Sequence, residues 1–397
     1  MTCGNCGRGE NARLLDRRQG GERRLISSDG ALLEAITVER WLCPDCGCVE
    51  IRYTPEDALA RFFASAYDTG ALVQNNLVVT GGKVRPKRSL VQGRLFAALA
   101  ARATPQADFL EIACGRGELT AEIAQDFPGW RGVGIDPSDT LPDQIDGLED
   151  RVTLIRGFFD AALVAGRRFD VVIAHGLLNR APPLPLLRDM VAVAQPGALI
   201  SLEFLTLEDN CYCPHIWDHP FMYTADSFRA WCAETGLALL NWEDCGSAIH
   251  VLAAVTEQPG GALVSPPGVR ATEEIFRAQE RQWQQVAATY QDAVATAAPP
   301  LALFGAGLFT AVLGSLVDFG PIEMVIDEVK AGGRFFDLPV VDLATALKRK
   351  PVILLCVRPQ YQAVICGKLE SVGLPWIDLG LAGPNPALAS EEAPHAG

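Results

Sequence analysis

The sequence predicts an α/β protein in which a strand, glycine loop and helix unit occurs twice, behind a short N-terminal module stapled by metal. Three observations carry this prediction. Strands alternate with helices from Leu95 onward, two Cys-x-x-Cys pairs bracket the N-terminal segment, and a Pro- and Gly-rich joint separates the two strand and glycine-loop units.

A chain of 397 residues with 49% hydrophobic content is long enough for more than one core, because domains settle at about 100 to 200 residues. We expect a zinc-binding module over residues 1–60, a first α/β domain over 61–258 and a second over 259–397. The first region has too little apolar material for an unaided core. Its stretch LISSDGALLEAITVERWLC reads as short strands and turns. From Leu95 the order is helix LFAALAARA, strand and loop FLEIACGRGE, helix LTAEIAQDF and strand GVGIDPSD. FDVVIAHG, LPLLRDMVAVAQ and GALISLEFL continue it, as expected of a parallel sheet covered on both faces. The joint is EQPGGALVSPPGV, followed by a long helix over ATEEIFRAQERQWQQVAATYQDAVATAA. A second unit then begins at LALFGAGLFTAVLGSLV and ends at WIDLGL, before a polar tail SEEAPHAG expected to be disordered.

Cys3-Gly4-Asn5-Cys6 and Cys43-Pro44-Asp45-Cys46 each hold two thiols at the spacing of a zinc knuckle, so Cys3, Cys6, Cys43 and Cys46 complete a tetrahedral sulfur shell. Such a shell has no open position, which assigns it to structure and not to catalysis. Cys48 is close enough in sequence to replace one ligand. Twelve cysteines in a large chain that lacks a secretory signal fit thiols and metal ligands better than disulfides.

Glu111-Ile112-Ala113-Cys114-Gly115-Arg116-Gly117 lies where a buried strand turns into a helix. Gly115 and Gly117 let a ligand approach the backbone, and Asp136, followed by Pro137, ends the next strand 21 positions after Gly115. A carboxylate there can accept both hydroxyls of a ribose. A third glycine, which the nicotinamide fingerprint requires, is absent.

This acid-x-x-x-Gly-x-Gly loop resembles the first motif of the class I S-adenosylmethionine methyltransferases. The resemblance implies a class I methyltransferase Rossmann-like core, with Glu111 near the amino acid part of the cofactor, Gly115 and Gly117 beside its methionine and ribose, and Asp136 with Pro137 at the ribose. The order of zinc knuckles, methyltransferase core and second Rossmann-like domain resembles the sugar C-methyltransferases that act on nucleotide-linked keto-deoxysugars. That family carries a Tyr-His-Glu-His-like segment after the fifth strand. Here it reads Ile216-Trp217-Asp218-His219-Pro220-Phe221-Met222-Tyr223, with Trp217 in place of the first His. The family's Gly-Gly-Ser segment corresponds to Cys245-Gly246-Ser247-Ala248. In this family the C-terminal domain helps hold the nucleotide of the sugar donor.

C-methylation beside a ketone needs a base, an enolate stabiliser and an aligned methyl donor. His219 is the first candidate base, with Asp218 or Tyr223 orienting it or steadying the oxyanion. His175, closing a strand at the cofactor-facing edge, is the second. Trp217 is a candidate to line the sugar pocket. In the second unit Gly305 and Gly307, with Asp327 about 20 positions on, have the shape of a nucleotide site or of an architectural copy of one. His215 and His250 are read as structural.

A formal charge of -14 disfavours polymeric nucleic acid, whose phosphates are gripped by clustered Lys and Arg. The basic island Arg85-Pro86-Lys87-Arg88 reads as a solvated loop. No apolar run is long enough to span a membrane, so a cytoplasmic location is expected, and the resemblance to the sugar C-methyltransferases implies a small-molecule substrate, a nucleotide-activated sugar. Alternatives are O-methylation of a sugar or natural product, RNA methylation, and a non-catalytic sugar-nucleotide-binding scaffold.

Overall fold

A computed structural model describes residues 2–8, 12–19, 25–28, 32–33, 36–66, 77–80, 83–102, 104–245, 248–256 and 269–381. The Pro- and Gly-rich joint, the polar tail and the Gly246-Ser247 pair lie outside these residues, as do the side chains of Arg85, Pro86, Lys87 and Arg88. The chain forms two compact units. One comprises Met1–Arg17, Ile36–Asn210 and Asp218–Thr272, and the other Arg18–Ala35, Cys211–Trp217 and Glu273–Gly397.

The first unit is built on a seven-stranded sheet. Its spatial order is Val152–Arg156, Arg131–Asp136, Asp108–Ile112, Phe169–His175, Ala194–Phe204, Ile249–Val255 and Leu237–Asp244. Numbered along the chain this is 3-2-1-4-5-7-6, all parallel except the seventh strand, which runs antiparallel to both neighbours. The chain order reverses between strands 1 and 4, and the loops at their carboxyl ends open the crevice where α/β sheets bind ligands. The strands are near-continuous apolar runs because both faces are covered: Val171 and Ile173 belong to one core, Val172 and Ala174 to the other. On one face Leu95 and Leu99 of the helix Lys87–Ala101 pack with Phe109, Ile123 and Trp130. On the other, Leu184, Leu187 and Met190 of the helix Pro183–Val193 meet Phe228 and Trp231 of the helix Ala225–Thr235.

The N-terminal sheet has four strands in the order Arg13–Gln19, Thr37–Leu42, Val49–Thr54 and Phe221–Met222. Its last strand comes from the segment after strand 5, which pairs antiparallel with Glu50 and Val49.

The second unit contains a six-stranded sheet in the order Arg334–Phe335, Leu338–Val341, Met324–Ile326, Leu301–Phe304, Val352–Leu355 and Trp376–Asp378. All pairs are parallel except the first. Leu301–Phe304 and Val352–Leu355 are central and almost wholly apolar, and the glycine loop follows the first of them. The fold is thus α/β with Rossmann-like sheets, as the alternating pattern requires. Among the described residues no helix is long and apolar enough to cross a membrane.

Candidate functional site

The first strand ends at Ile112, and the chain turns through Ala113 at φ 60° into the loop Cys114–Gly117. A non-glycine residue in the left-handed region is strained. Ala113 therefore marks a backbone bend imposed by the loop. A Cβ built on Gly115 would meet nothing within 4 Å, so open space lies in front of the loop backbone. Gly117 caps the helix Glu118–Asp126 with no side-chain cap bond.

Asp136, 7% exposed at the end of strand 2, faces this loop. Its Oδ2 accepts the N–H of Gly115 at 2.9 Å and its Oδ1 accepts the N–H of Ser138 at 2.8 Å. Burial pushes the carboxyl up, and the two backbone donors pull it back. Each oxygen keeps capacity for a further donor, as contact with ribose hydroxyls requires. Glu111 is buried and its Oε2 accepts a hydrogen bond from the Thr120 hydroxyl on the following helix. The loop, the space before it and the two acids fit S-adenosylmethionine, with Pro137 turning the chain just past Asp136.

The four cysteines converge. Their sulfurs all lie within 4.8 Å of one another, with Cys3 Sγ 3.8 Å from Cys46 Sγ and Cys6 Sγ 3.7 Å from Cys43 Sγ. Zinc–sulfur bonds of about 2.3 Å in a tetrahedron place sulfurs about 3.8 Å apart, so the residues present fit a zinc ion. The two knuckles are built alike. Gly7 donates to the Cys3 carbonyl and Gly47 to the Cys43 carbonyl, at φ 71° and 69° respectively. Both turns need the conformation that glycine adopts freely. Cys48 stands outside the cluster: its thiol is held to the Val49 carbonyl, and burial pushes it well up. Asn5 ties the knuckle to the sheet unit, donating to Cys46 Sγ and accepting the Leu184 N–H at 2.7 Å.

His219 and Asp218 lie in the segment after strand 5, 5% and 0% exposed. Pro220, just beyond them, accepts the Ile51 N–H at 2.8 Å. Asp218 adds its charge, with that of Glu50, to the surroundings of the buried Tyr53 phenol, where Arg40 opposes both. Burial is the main cause that drives Tyr53 up. Tyr223 is fully buried, 5.0 Å from the ring of Trp231 and 5.9 Å from that of Phe204. His175 closes strand 4, and its Nε2 is 2.9 Å from Ser201 Oγ.

Asn179 is a residue that sequence reading passed over. It is 4% exposed and makes four bonds. Its Nδ2 donates to the carbonyls of Leu205 and Phe221 at 3.0 and 3.1 Å, its Oδ1 accepts the Leu205 N–H at 2.7 Å, and its carbonyl accepts the Phe221 N–H. It thereby clamps the loop after His175, the end of strand 5 and the His219 segment together. Glu208 was also missed. Its Oε1 accepts the Ala225 N–H at 3.0 Å, and burial pushes its carboxyl up to about 7. Only its position after strand 5 would have drawn notice in the sequence.

In the second unit the Trp217 side chain is buried, and its backbone N–H donates to the Ile26 carbonyl at 3.1 Å. Asp327 Oδ2 accepts the Ala306 N–H at 2.9 Å, and Oδ1 accepts those of Val329 and Lys330. Lys330 Nζ donates to the Ala306 carbonyl at 2.7 Å. A Cβ on Gly305 or Gly307 would meet nothing within 4 Å. His215 is bonded to Arg18 through Nδ1 at 3.1 Å.

The family model described as "Methyltransferase domain" matches residues 85–241, so the chain carries a domain of methyltransferase type over strands 1 to 5 and the His219 segment. The ubiquinone biosynthesis O-methyltransferase of Xanthomonas campestris pv. campestris is 24% identical over 155 residues, which are 38% of this chain. The match spans 65% of the length of that relative. Among solved structures, the 1,6-didemethyltoxoflavin-N1-methyltransferase of Burkholderia thailandensis is 15% identical, covering 43% of this chain and 79% of its own, with a TM-score of 0.34. A putative sarcosine dimethylglycine methyltransferase from Galdieria sulphuraria is 12% identical, covering 44% and 89%, with a TM-score of 0.37.

Proposed function

We propose that this chain is an S-adenosylmethionine-dependent methyltransferase whose acceptor is a small molecule, a carbon beside the ketone of a nucleotide-linked deoxysugar. The observation that carries the cofactor reading is the Asp136 carboxylate bonded to the Gly115 N–H in front of open space, within the region that matches a methyltransferase domain. The acceptor reading rests on the resemblance of the Trp217–Tyr223 segment and of the module order to the sugar C-methyltransferases. Zinc held by Cys3, Cys6, Cys43 and Cys46 supplies folding free energy to a module with little core of its own.

S-adenosylmethionine, when bound, supplies an electrophilic methyl carbon on a positively charged sulfur. Glu111, Gly115, Gly117, Asp136 and Pro137 hold it. His219 takes the proton α to the ketone onto a ring nitrogen, which leaves an enolate. Asp218 orients the ring, His175 faces the developing oxyanion, and Tyr223 fixes the segment through its aromatic neighbours. Trp217, Gly305, Gly307 and Asp327 are assigned to the nucleotide-sugar. The charge of -14 suits a single nucleotide better than a polymer.

The test has two arms. Labelled S-adenosylmethionine is incubated with the protein and a panel of nucleotide keto-sugars, and the added methyl is located by NMR. Separately, His219→Asn is expected to keep cofactor binding while losing turnover by about 100-fold or more. It is also expected to stop exchange of the α-proton with deuterated solvent. Absence of saturable S-adenosylmethionine binding overturns the enzyme reading, and a methyl found on oxygen overturns the carbon reading.

A further inference from the structure

Three strands of the seven-stranded sheet bring His175, Ser201 and His250 to the same face, where the three side chains meet. His175 ends strand 4, Ser201 lies in strand 5 and His250 in the antiparallel strand beside it. His175 stands opposite Glu203, and Glu203 opposite His250. Ser201, two residues before Glu203, shares its face because side chains alternate along a strand. His175 Nε2 is 2.9 Å from Ser201 Oγ, and Ser201 Oγ is 3.1 Å from His250 Nε2. The two imidazoles stand edge to face with centroids 5.7 Å apart.

The direction of this chain follows from its buried end. Ser201 and His250 are 0% and 1% exposed, and His250 Nδ1 has no hydrogen-bond partner among the described residues. Burial pushes His250 down to about 4, with Glu203 and Glu243 opposing and Arg94 assisting, so the ring is neutral near neutrality. A neutral imidazole has one N–H and one lone pair. A proton on Nδ1 would leave a buried donor without an acceptor, and orphaned buried N–H groups are rarer than under-satisfied acceptors. The proton therefore sits on Nε2 and is donated to Ser201 Oγ. Ser201 then has its own proton to give, and His175 Nε2 accepts it. The remaining proton of a neutral His175 must be on Nδ1.

We infer that Ser201 and His250 are positioning residues that lock His175 in its Nδ1–H tautomer, making it a hydrogen-bond donor to the acceptor's developing oxyanion and not a second base. This rests on the methyltransferase reading above. It leaves His219 alone to remove the proton, and it explains why a histidine buried inside a strand is joined to one at the sheet's ligand-facing edge. A donor already oriented toward incipient negative charge needs no reorganisation at the moment of reaction.

The test reads the tautomer directly. Long-range nitrogen–proton spectra of the full-length protein labelled in its histidine rings are expected to show His175 as Nδ1–H. In Ser201→Ala the ring should become a mixture of tautomers, and in Ser201→Thr, which keeps the hydroxyl, it should not. His250→Gln retains a donor near the Nε2 position and is expected to preserve the tautomer, whereas His250→Leu is expected to lose it. With saturating substrates, kcat should fall about tenfold or more in Ser201→Ala and His250→Leu with KM little changed, and should largely recover in Ser201→Thr and His250→Gln. An Nε2–H signal for His175 in the parent, or an unchanged tautomer in Ser201→Ala, overturns the inference. The spectra need no turnover, so a failure of the methyltransferase reading leaves this result standing separately.

Discussion

The Asp136 carboxylate accepts the backbone N–H of Gly115, 21 positions earlier, at 2.9 Å. Asp327 makes the same 21-residue bond to Ala306 at 2.9 Å in the second unit. In each case an acid at the end of the second strand fixes the glycine loop after the first. Asp136→Ala should weaken S-adenosylhomocysteine binding by roughly 1.5 to 3 kcal/mol, through loss of a charge-assisted contact and of the loop's shape. Titration calorimetry checks this. Asp327→Ala serves as the control and should leave the same affinity unchanged; equal losses in both variants would remove Asp136 from the cofactor site.

The cysteine geometry separates ligands from a bystander. Metal analysis should give about one zinc per chain in the parent and in Cys48→Ser, and much less in Cys46→Ser, because Cys48 is held to the Val49 carbonyl outside the cluster. Chelation should unfold the N-terminal sheet cooperatively. A well-folded preparation without metal would falsify the assignment.

Ala113 sits at φ 60°, a conformation that costs an alanine roughly 1 kcal/mol or more and a glycine little. Ala113→Gly is therefore expected to stabilise the protein by about 1 kcal/mol, less the extra freedom that glycine gives the unfolded chain. Chemical denaturation measures it. A clear destabilisation would mean that the Ala113 methyl contributes packing that outweighs the strain.

Burial pushes the Glu208 carboxyl up to about 7 from an ordinary value of 4.5; backbone N–H donors, that of Ala225 among them, pull it partly back, and the charges of Asp209 and Asp226 add to the rise. Its folded value is raised, so the protonated form favours the folded state. That contribution is complete below about pH 4.5 and is lost as pH rises through about 7. Glu208→Gln should remove this dependence, so that the variant gains on the parent by about 3 kcal/mol between pH 4.5 and pH 8. Parallel denaturation curves at both pH values decide it, and a constant difference would show that Glu208 is ionised throughout.

By itself the sequence determined the parts of this protein that are local. Each glycine loop with its acid, each knuckle with the glycine that follows it, and the alternation of apolar strands with helices are set within some twenty residues, where backbone sterics and side-chain period decide the conformation. Tertiary structure decided what meets what. Residues Arg18–Ala35 and Cys211–Trp217 belong to the second compact unit, and Phe221–Met222 completes the N-terminal sheet. Asn179 reaches Leu205 and Phe221, and Ser201 joins His175 to His250. No periodicity marks these residues, because a strand specifies which face a side chain occupies but not which strand will lie beside it. That choice belongs to sheet order and register, set by the packing of the whole unit.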